Sequence, residues 1–303
     1  MASNYKLGHS AALLTILIWG TTFISTKVLL QDFSPVELLF FRFLLGLTAL
    51  FLVSPRPLRG TTRAQEATFA LAGLCGITVY YLLENVALTY TLASNVGVIL
   101  AAAPFFTALL SRLMFHSPLR PRFFLGFLVA MAGICLLSFP GASMHLNPLG
   151  DLLAMLAALV WACYSILMRK ISAFGYPTIL ITRRVFAYGL LFMLPVLFFS
   201  DFQLDLIRFA NPVSLLNLLF LGLGASALCF VTWNFAVKVL GAVKTSIYIY
   251  MVPVITVVTS ALILKERLST LAILGTLLTL VGLTLSEYNG KKKNPAQNAP
   301  QLP

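Results

Sequence analysis

The strongest constraint on this chain is that its apolar half occurs twice. Trp161, Pro177 and Arg184 repeat the spacing of Trp19, Pro35 and Arg42, and Asn234, Ala236, Pro253, Gly275 and Gly282 repeat that of Asn85, Ala87, Pro104, Gly126 and Gly133. A unit with an even number of membrane crossings returns to the side it started from. One with an odd number ends on the other side and forces its copy upside down.

A helix needs about 20 apolar residues to cross hydrocarbon. The apolar runs allow ten crossings, over about residues 10–30, 34–54, 66–88, 93–115, 121–139, 149–171, 177–199, 213–237, 242–264 and 269–288. Five fall in each half. The sequence therefore predicts an all-α integral membrane protein, with ten transmembrane helices as two inverted five-helix repeats around a central cavity. The repeats are expected at residues 1–143 and 144–288, followed by a disordered cytoplasmic tail at 289–303 that is rich in Lys, Asn, Gln and Pro. Only 10% of residues are charged, against roughly a quarter in a soluble domain.

The net charge of +12 does not point to nucleic acid, because the basic residues lie between apolar runs and form no single face. Topology accounts for it. With both termini in the cytoplasm, Lys6, Arg56, Arg59, Arg63, Arg112, Arg120, Arg122, Arg169, Lys170, Lys238, Lys244 and Lys291–Lys293 fall on the inner side. The outer side keeps Lys27, Arg208, Lys265 and Arg267, which is the positive-inside pattern of a bacterial-type inner membrane protein. The first apolar run is expected to be retained rather than cleaved, since it is long, has Trp19 at its centre and lacks a small-x-small site.

Several chemistries are disfavoured. Cys75, Cys135, Cys163 and Cys229 lie on four different spans without a CxxC pair, and His9, His116 and His145 sit at span ends without metal-ligand spacing. No P-loop, nucleophile elbow or HExxH motif occurs, so neither a cofactor nor an ATP-driven pump is expected. A polytopic membrane enzyme would need acids, histidines or a metal converging at membrane depth, and the spans offer one candidate carboxylate.

The segment Trp19-Gly20-Thr21-Thr22-Phe23 with Lys27, Pro35 and Arg42 resembles the opening of an EamA-type domain, as does Ala87-Leu88-Thr89-Tyr90-Thr91-Leu92-Ala93-Ser94 with Pro104 in the next helix. Trp161, Pro177, Arg184, Pro253 and Leu264-Lys265-Glu266-Arg267-Leu268 show the same plan in the second half. Over about residues 10–288 the chain is similar to the ten-helix exporters of the drug/metabolite transporter superfamily, whose branches include amino-acid exporters. The resemblance implies eight helices around a cavity, spans one to four and six to nine, with spans five and ten to one side.

Individual residues fit that picture. Trp19 and Trp161 lie near mid-span, away from the headgroup zone that Trp prefers, and either stack on a planar or apolar solute or pack with their N–H on a neighbouring carbonyl. Trp233 lies near the inner end of span eight, where an interfacial anchor is expected. Tyr80, Tyr81 and Glu84 share one face of span three. A carboxyl group there is costly unless paired or wet, so Glu84 is a candidate for attracting a substrate amino group or a proton, or for pairing with Arg42. Tyr164 and Tyr248 join the expected binding set, with Asn85, Asn95 and Asn234 as secondary polar contacts. Arg42, Arg183 and Arg184 are intramembrane charges, each costing on the order of 3 kcal/mol at mid-bilayer. A substrate carboxylate could stabilise them, but the pattern is general to the fold that the resemblance implies, which favours arginines that snorkel or bond helix-end carbonyls beside the cavity. Pro104 and Pro253 each remove a backbone bond at equivalent places and are candidate paired hinges. Gly126 and Gly133 fit close helix packing.

The expected function is a secondary transporter of the cytoplasmic membrane that exports a small-molecule solute by alternating access, with bulky or aromatic amino acids as the leading class. Export of cationic drugs or other metabolites on the same fold is the alternative, as is lipid handling through a cavity open sideways to membrane lipid.

Overall fold

The computed structural model describes residues 2–115, 121–138, 147–200, 202, 206–266 and 269–287. The expected tail at 289–303, the boundary between 143 and 144, and Arg120, His116, His145, Arg267, Leu268 and Lys291–Lys293 lie outside the described residues, as does the Cys135 side chain. Among the described residues there is no strand. The described residues form ten long helices, α1 (Ala2–Leu29), α2 (Pro35–Val53), α3 (Arg63–Tyr90), α4 (Ala93–Met114), α5 (Pro121–Ser138), α6 (Pro148–Ser172), α7 (Thr178–Phe198), α8 (Pro212–Leu240), α9 (Lys244–Leu264) and α10 (Thr270–Glu287). All but α5 and α10 are long and apolar enough to span a bilayer over their full length, and those two carry shorter apolar stretches, Phe124–Gly133 and Ile273–Gly282.

Local chemistry marks the boundaries. Ser34 and Glu37 form a reciprocal capping box at the start of α2, as do Thr62 and Gln65 at α3. Asn147 and Asn211 accept backbone N–H bonds at the starts of α6 and α8, each followed by a proline whose missing N–H costs nothing in the first turn.

The packing maps onto itself when each helix is exchanged for its repeat counterpart. Helix α1 packs on α8 as α6 packs on α3, α2 on α8 as α7 on α3, and α4 on α6 as α9 on α1. The pairs α2–α7, α4–α9 and α5–α10 are their own images. Followed around, these contacts close a ring in the order α1, α8, α2, α7, α3, α6, α4, α9. Five crossings per unit invert each unit relative to its copy, so the pseudo-twofold axis lies in the membrane plane.

Helices α5 and α10 stand outside the ring, touching it at α4 and α9. They hold each other through glycine. A Cβ on Gly133 would lie 2.7 Å from the Gly275 carbonyl oxygen, and one on Gly282 would lie 2.6 Å from that of Gly126 and closer still to the Ala130 amide nitrogen. With no solvent between lipid-facing helices, such close backbone approach supplies the dispersion contact that holds them together.

Backbone irregularities are also paired. Helix α3 widens into π-helical turns over Leu74–Val79 and α8 over Phe220–Leu228, at equivalent positions. Helix α4 breaks at Ala101 and Ala102, just before Pro104, and α9 tightens into a 3-10 turn at Ile247–Met251, just before Pro253. A freed backbone carbonyl is tolerated at membrane depth only where protein or a cavity receives it.

The glycine interface makes a direct prediction. Gly282→Ala forces a methyl group into backbone atoms and should destabilise the protein by about 1–3 kcal/mol, as overpacked sites do, read as a lower midpoint of thermal unfolding in detergent. Gly224→Ala, where the new carbon would meet nothing nearer than the Phe220 ring at 3.6 Å, should leave the midpoint unchanged.

Candidate functional site

Inside the ring the side chains converge on an aromatic cluster centred on two repeat-equivalent residues. Trp19 of α1 and Trp161 of α6 meet edge to face with ring centroids 5.3 Å apart. Symmetry mates in direct contact lie at the pseudo-twofold axis. Trp233 of α8 completes the cluster, 5.1 Å from Trp19 and 6.2 Å from Trp161, with Phe230 against all but Trp233 of these rings. At 1% exposure Trp233 is core, which corrects the expected interfacial anchor. Its signal was already in the sequence, because Trp233 is the repeat counterpart of Glu84.

A cavity of about 40 Å³ opens beside this cluster, lined by Trp19, Thr22, Phe23, Tyr80, Tyr81, Glu84, Leu100, Ala103, Trp161, Ile249 and Val252. That volume holds a few water molecules, far below the roughly 300 Å³ or more of a pocket fitted to an organic ligand. The aromatic rings fill the rest of the space, and admitting a solute requires them to part. Leu100 and Ile249 are repeat counterparts, as are Ala103 and Val252, so the backbone breaks before Pro104 and Pro253 form two facing walls. These four were absent from the sequence reading, although each precedes its proline at a fixed distance in both halves.

The remaining lining breaks the symmetry. Tyr80, Tyr81 and Glu84 come from α3, whereas their α8 counterparts Cys229, Phe230 and Trp233 do not line the cavity. Thr22 and Phe23 lie beyond Trp19 towards the end of α1. The cavity is thus displaced towards the face where α1 ends, and the space on the other side is packed by Trp233, Phe230 and Tyr164.

Of the other residues expected here, Tyr164 is fully buried and donates to Asn234 Oδ1 at 3.0 Å, and Asn234 donates to Thr182 Oγ1 at 2.9 Å. Asn85 donates to the Pro35 carbonyl at 3.1 Å. These two asparagines tie α8 to α7 and α3 to α2 in equivalent ways. Asn95 donates to Thr91 Oγ1 at 3.3 Å, and the Tyr248 hydroxyl meets His9 Nδ1 at 2.5 Å, each near a mouth of the ring.

The intramembrane charges find separate partners. Arg42 is 1% exposed, donates from Nε to Ser226 Oγ at 2.8 Å and from Nη2 to the Tyr81 hydroxyl at 3.4 Å, and stacks 4.3 Å from the Tyr81 ring centroid. It forms no ion pair with Glu84 within 4 Å. Glu84 lies beside the Tyr80 hydroxyl. Of the three arginines, only Arg183 bonds helix-end carbonyls, those of Ser54 and Arg56 past the end of α2, and the expectation is corrected for Arg42 and Arg184, which side chains of neighbouring helices hold instead. Arg184 pairs bidentately with Glu66, at 2.7 Å from Nη2, and Glu66 also accepts the Tyr188 and Thr61 hydroxyls.

Polar ties span both mouths. Where α1 ends, Lys27 Nζ lies 3.5 Å from Glu266 and 3.0 Å from the Thr91 carbonyl. Glu266 accepts the Ala93 and Ser94 amides and the Ser94 hydroxyl, so a residue leaving α9 caps the start of α4. Thr91 donates to Asp151 at 3.1 Å. At the opposite face the counterparts of Asp151 and Lys27 are His9, held by Tyr248, and Arg169, which donates to Ser111. Among the described residues no group of three His, Cys, Asp or Glu side chains could hold a metal ion.

Known proteins agree with this architecture. The EamA-like transporter family matches the chain twice, over residues 6–139 and 148–288. A protein of Archaeoglobus fulgidus named as an uncharacterized transporter is 28% identical over 92% of this chain and 96% of its own length. A probable amino-acid metabolite efflux pump of Escherichia coli K12 is 25% identical over 91% of this chain and 93% of its own. A crystal structure with 19% identity superposes with a TM-score of 0.66, covering 94% of this chain and 96% of that one, which extends the likeness to the fold. A multi-pass membrane protein built of two inverted repeats, each matched in full by one family, the chain belongs to the EamA-like transporter family.

Proposed function

We propose that this transporter exports small metabolites by alternating access across the cytoplasmic membrane, with amino acids bearing bulky apolar or aromatic side chains as the leading class and both termini in the cytoplasm. The observation that carries the proposal is the cavity beside the pseudo-twofold axis, walled by Trp19, Trp161, Tyr80 and Tyr81, with one buried carboxyl group, Glu84, at its edge. Aromatic faces bury the body of an apolar side chain and attract an ammonium group. The name of the Escherichia coli relative, an amino-acid metabolite efflux pump, supports the same class. The excess of Lys and Arg on the face that bears the N-terminus supports the orientation.

Inverted repeats exchange conformations when the two units rock about the site they share. The breaks before Pro104 and Pro253 place irregular backbone at the cavity wall, and we assign them the role of paired hinges. Proline prevents the residue 104 and 253 nitrogens from closing the helices across these breaks.

In proteoliposomes, counterflow of aromatic amino acids should be saturable with wild-type protein. Trp19→Ala with Trp161→Ala should reduce it at least 10-fold while leaving a monodisperse protein in detergent; unchanged counterflow would remove the two tryptophans from the site. Pro104→Ala and Pro253→Ala should each slow counterflow severalfold with little change in the half-saturating concentration. A change confined to half-saturation would assign the prolines to the binding wall instead.

A further inference from the structure

Two polar groups on residues that line the cavity have no hydrogen-bond partner, Glu84 Oε1 and Trp161 Nε1, on side chains 2% and 5% exposed. Both are departures from the internal symmetry. The Trp19 indole donates to the Ala225 carbonyl, in the π-helical stretch of α8, at 2.9 Å. The equivalent carbonyl for Trp161 belongs to Gly76, in the π-helical stretch of α3, but the Tyr164 ring packs directly over Gly76. The first-half counterpart of Tyr164 is Thr22, whose hydroxyl turns back to the Trp19 carbonyl at 2.7 Å and leaves the indole its partner. Glu84 likewise has an indole, Trp233, as its counterpart. Of these four groups only the Trp19 indole is satisfied within the protein; Trp233 Nε1 also has no partner but does not line the cavity, which therefore presents an acceptor from the first repeat, Glu84, and a donor from the second, Trp161.

The lining contains no cationic side chain. Arg42, the nearest buried charge, bonds Ser226 and stacks on Tyr81, and although its Nη1 has no partner it neither lines the cavity nor forms an ion pair with Glu84. A buried carboxylate that no ion pair neutralises, with one oxygen unbonded, is costly, and an ammonium group set against Glu84 and the faces of Trp19, Tyr80, Tyr81 and Trp161 relieves that cost. The Trp161 N–H suits a carbonyl or carboxyl oxygen. A free carboxylate would bring a second negative charge into a site that answers it with one neutral donor.

Resting on the transport reading above, we infer that the site recognises its solute through an amino group, at Glu84, and a neighbouring carbonyl-type oxygen, at Trp161, and that a carboxylate is not required. Apolar α-amino amides and esters and aralkyl amines are then ligands at least as good as the parent amino acids, whereas carboxylates without an amino group are poor ones.

The test is direct binding to purified wild-type protein in detergent, followed by tryptophan fluorescence, with phenylalanine, phenylalaninamide, phenethylamine and 3-phenylpropanoate, run beside phenylalanine counterflow in proteoliposomes. The amide and phenethylamine should bind at least as tightly as phenylalanine, and 3-phenylpropanoate at least 10-fold more weakly. Glu84→Gln should weaken the three amines about 10-fold or more and leave 3-phenylpropanoate unchanged or improved. Trp161→Phe should weaken phenylalanine and its amide more than phenethylamine, which has no carbonyl oxygen. Equal binding of phenylalanine and 3-phenylpropanoate, or rejection of phenethylamine and the amide, overturns the inference whether or not the variants fold, since the wild-type ranking alone decides it. Phenylalanine counterflow with the wrong ranking sinks this inference and spares the transport reading; the expected ranking without flux of any amino acid does the reverse.

Discussion

Contact between Trp19 and Trp161 is the interaction on which the rest of the molecule is arranged. Residues related by an internal twofold can touch only at its axis, so this contact fixes where the two units cross and where their interiors meet. Each aromatic pair contributes about 0.5–1.5 kcal/mol beyond its buried area. That is enough to hold the rings together and little enough for a solute with an aromatic or apolar body to replace one ring contact by another. The ring of eight helices, the outlying α5–α10 pair and the facing breaks in α4 and α9 all follow from repeating one five-helix unit about this point.

Symmetry builds the scaffold, and departures from it build the site. If every position obeyed the repeat, the cavity would sit on the axis with like groups on both sides, and its polar groups would be paired on both. Instead Tyr164 replaces Thr22 and leaves the Trp161 N–H without the carbonyl that Trp19 enjoys, while Glu84 replaces Trp233 and puts a carboxyl group at one edge. An unpaired buried polar group costs about 1–3 kcal/mol. Thr26 Oγ1, Arg42 Nη1, Asn85 Oδ1 and Trp233 Nε1 also lack a partner, but none of them lines the cavity; the two groups that do are the ones within reach of a bound solute.

The plan of the fold was legible because membrane crossing is a matter of length and hydropathy, and the duplication a matter of spacing. Ten apolar runs and close packing at Gly126 and Gly133 come from rules that need no neighbour, whereas the helix that those glycines meet does not. Five of the expected binding residues, Trp19, Tyr80, Tyr81, Glu84 and Trp161, lie along the cavity, and they are the ones chosen for a misplaced polarity: an indole at mid-span, a carboxyl group in hydrocarbon and the tyrosines one turn below it. Tyr164 and the repeat-equivalent Asn85 and Asn234 carry polarity without a direction, and the structure ties them to neighbouring helices, because the direction of a side chain around a buried helix depends on packing that a sequence does not display. The walls made by Leu100, Ala103, Ile249 and Val252 escaped notice for the same reason. An apolar residue in an apolar run carries no mark until the break beside it turns it inward.

The two mouths extend this argument from binding to motion. On the face where α1 ends, one carboxylate, Glu266, joins Lys27 to the exposed amides of α4, so a single residue closes elements of both repeats. At the other face the equivalent positions are built from different groups, a histidine against a tyrosine and an arginine donating to a serine. An inverted pair with identical locks would favour its two accessible states equally. Unequal locks tilt that balance by their difference, and alternating access requires the difference to stay small enough for a solute to reverse it. A solute can shift an equilibrium only by as much as its affinity for the two states differs. Differential contact is available to it at Glu84 and Trp161, because those groups stand on the side of the axis that one lock guards and the other does not.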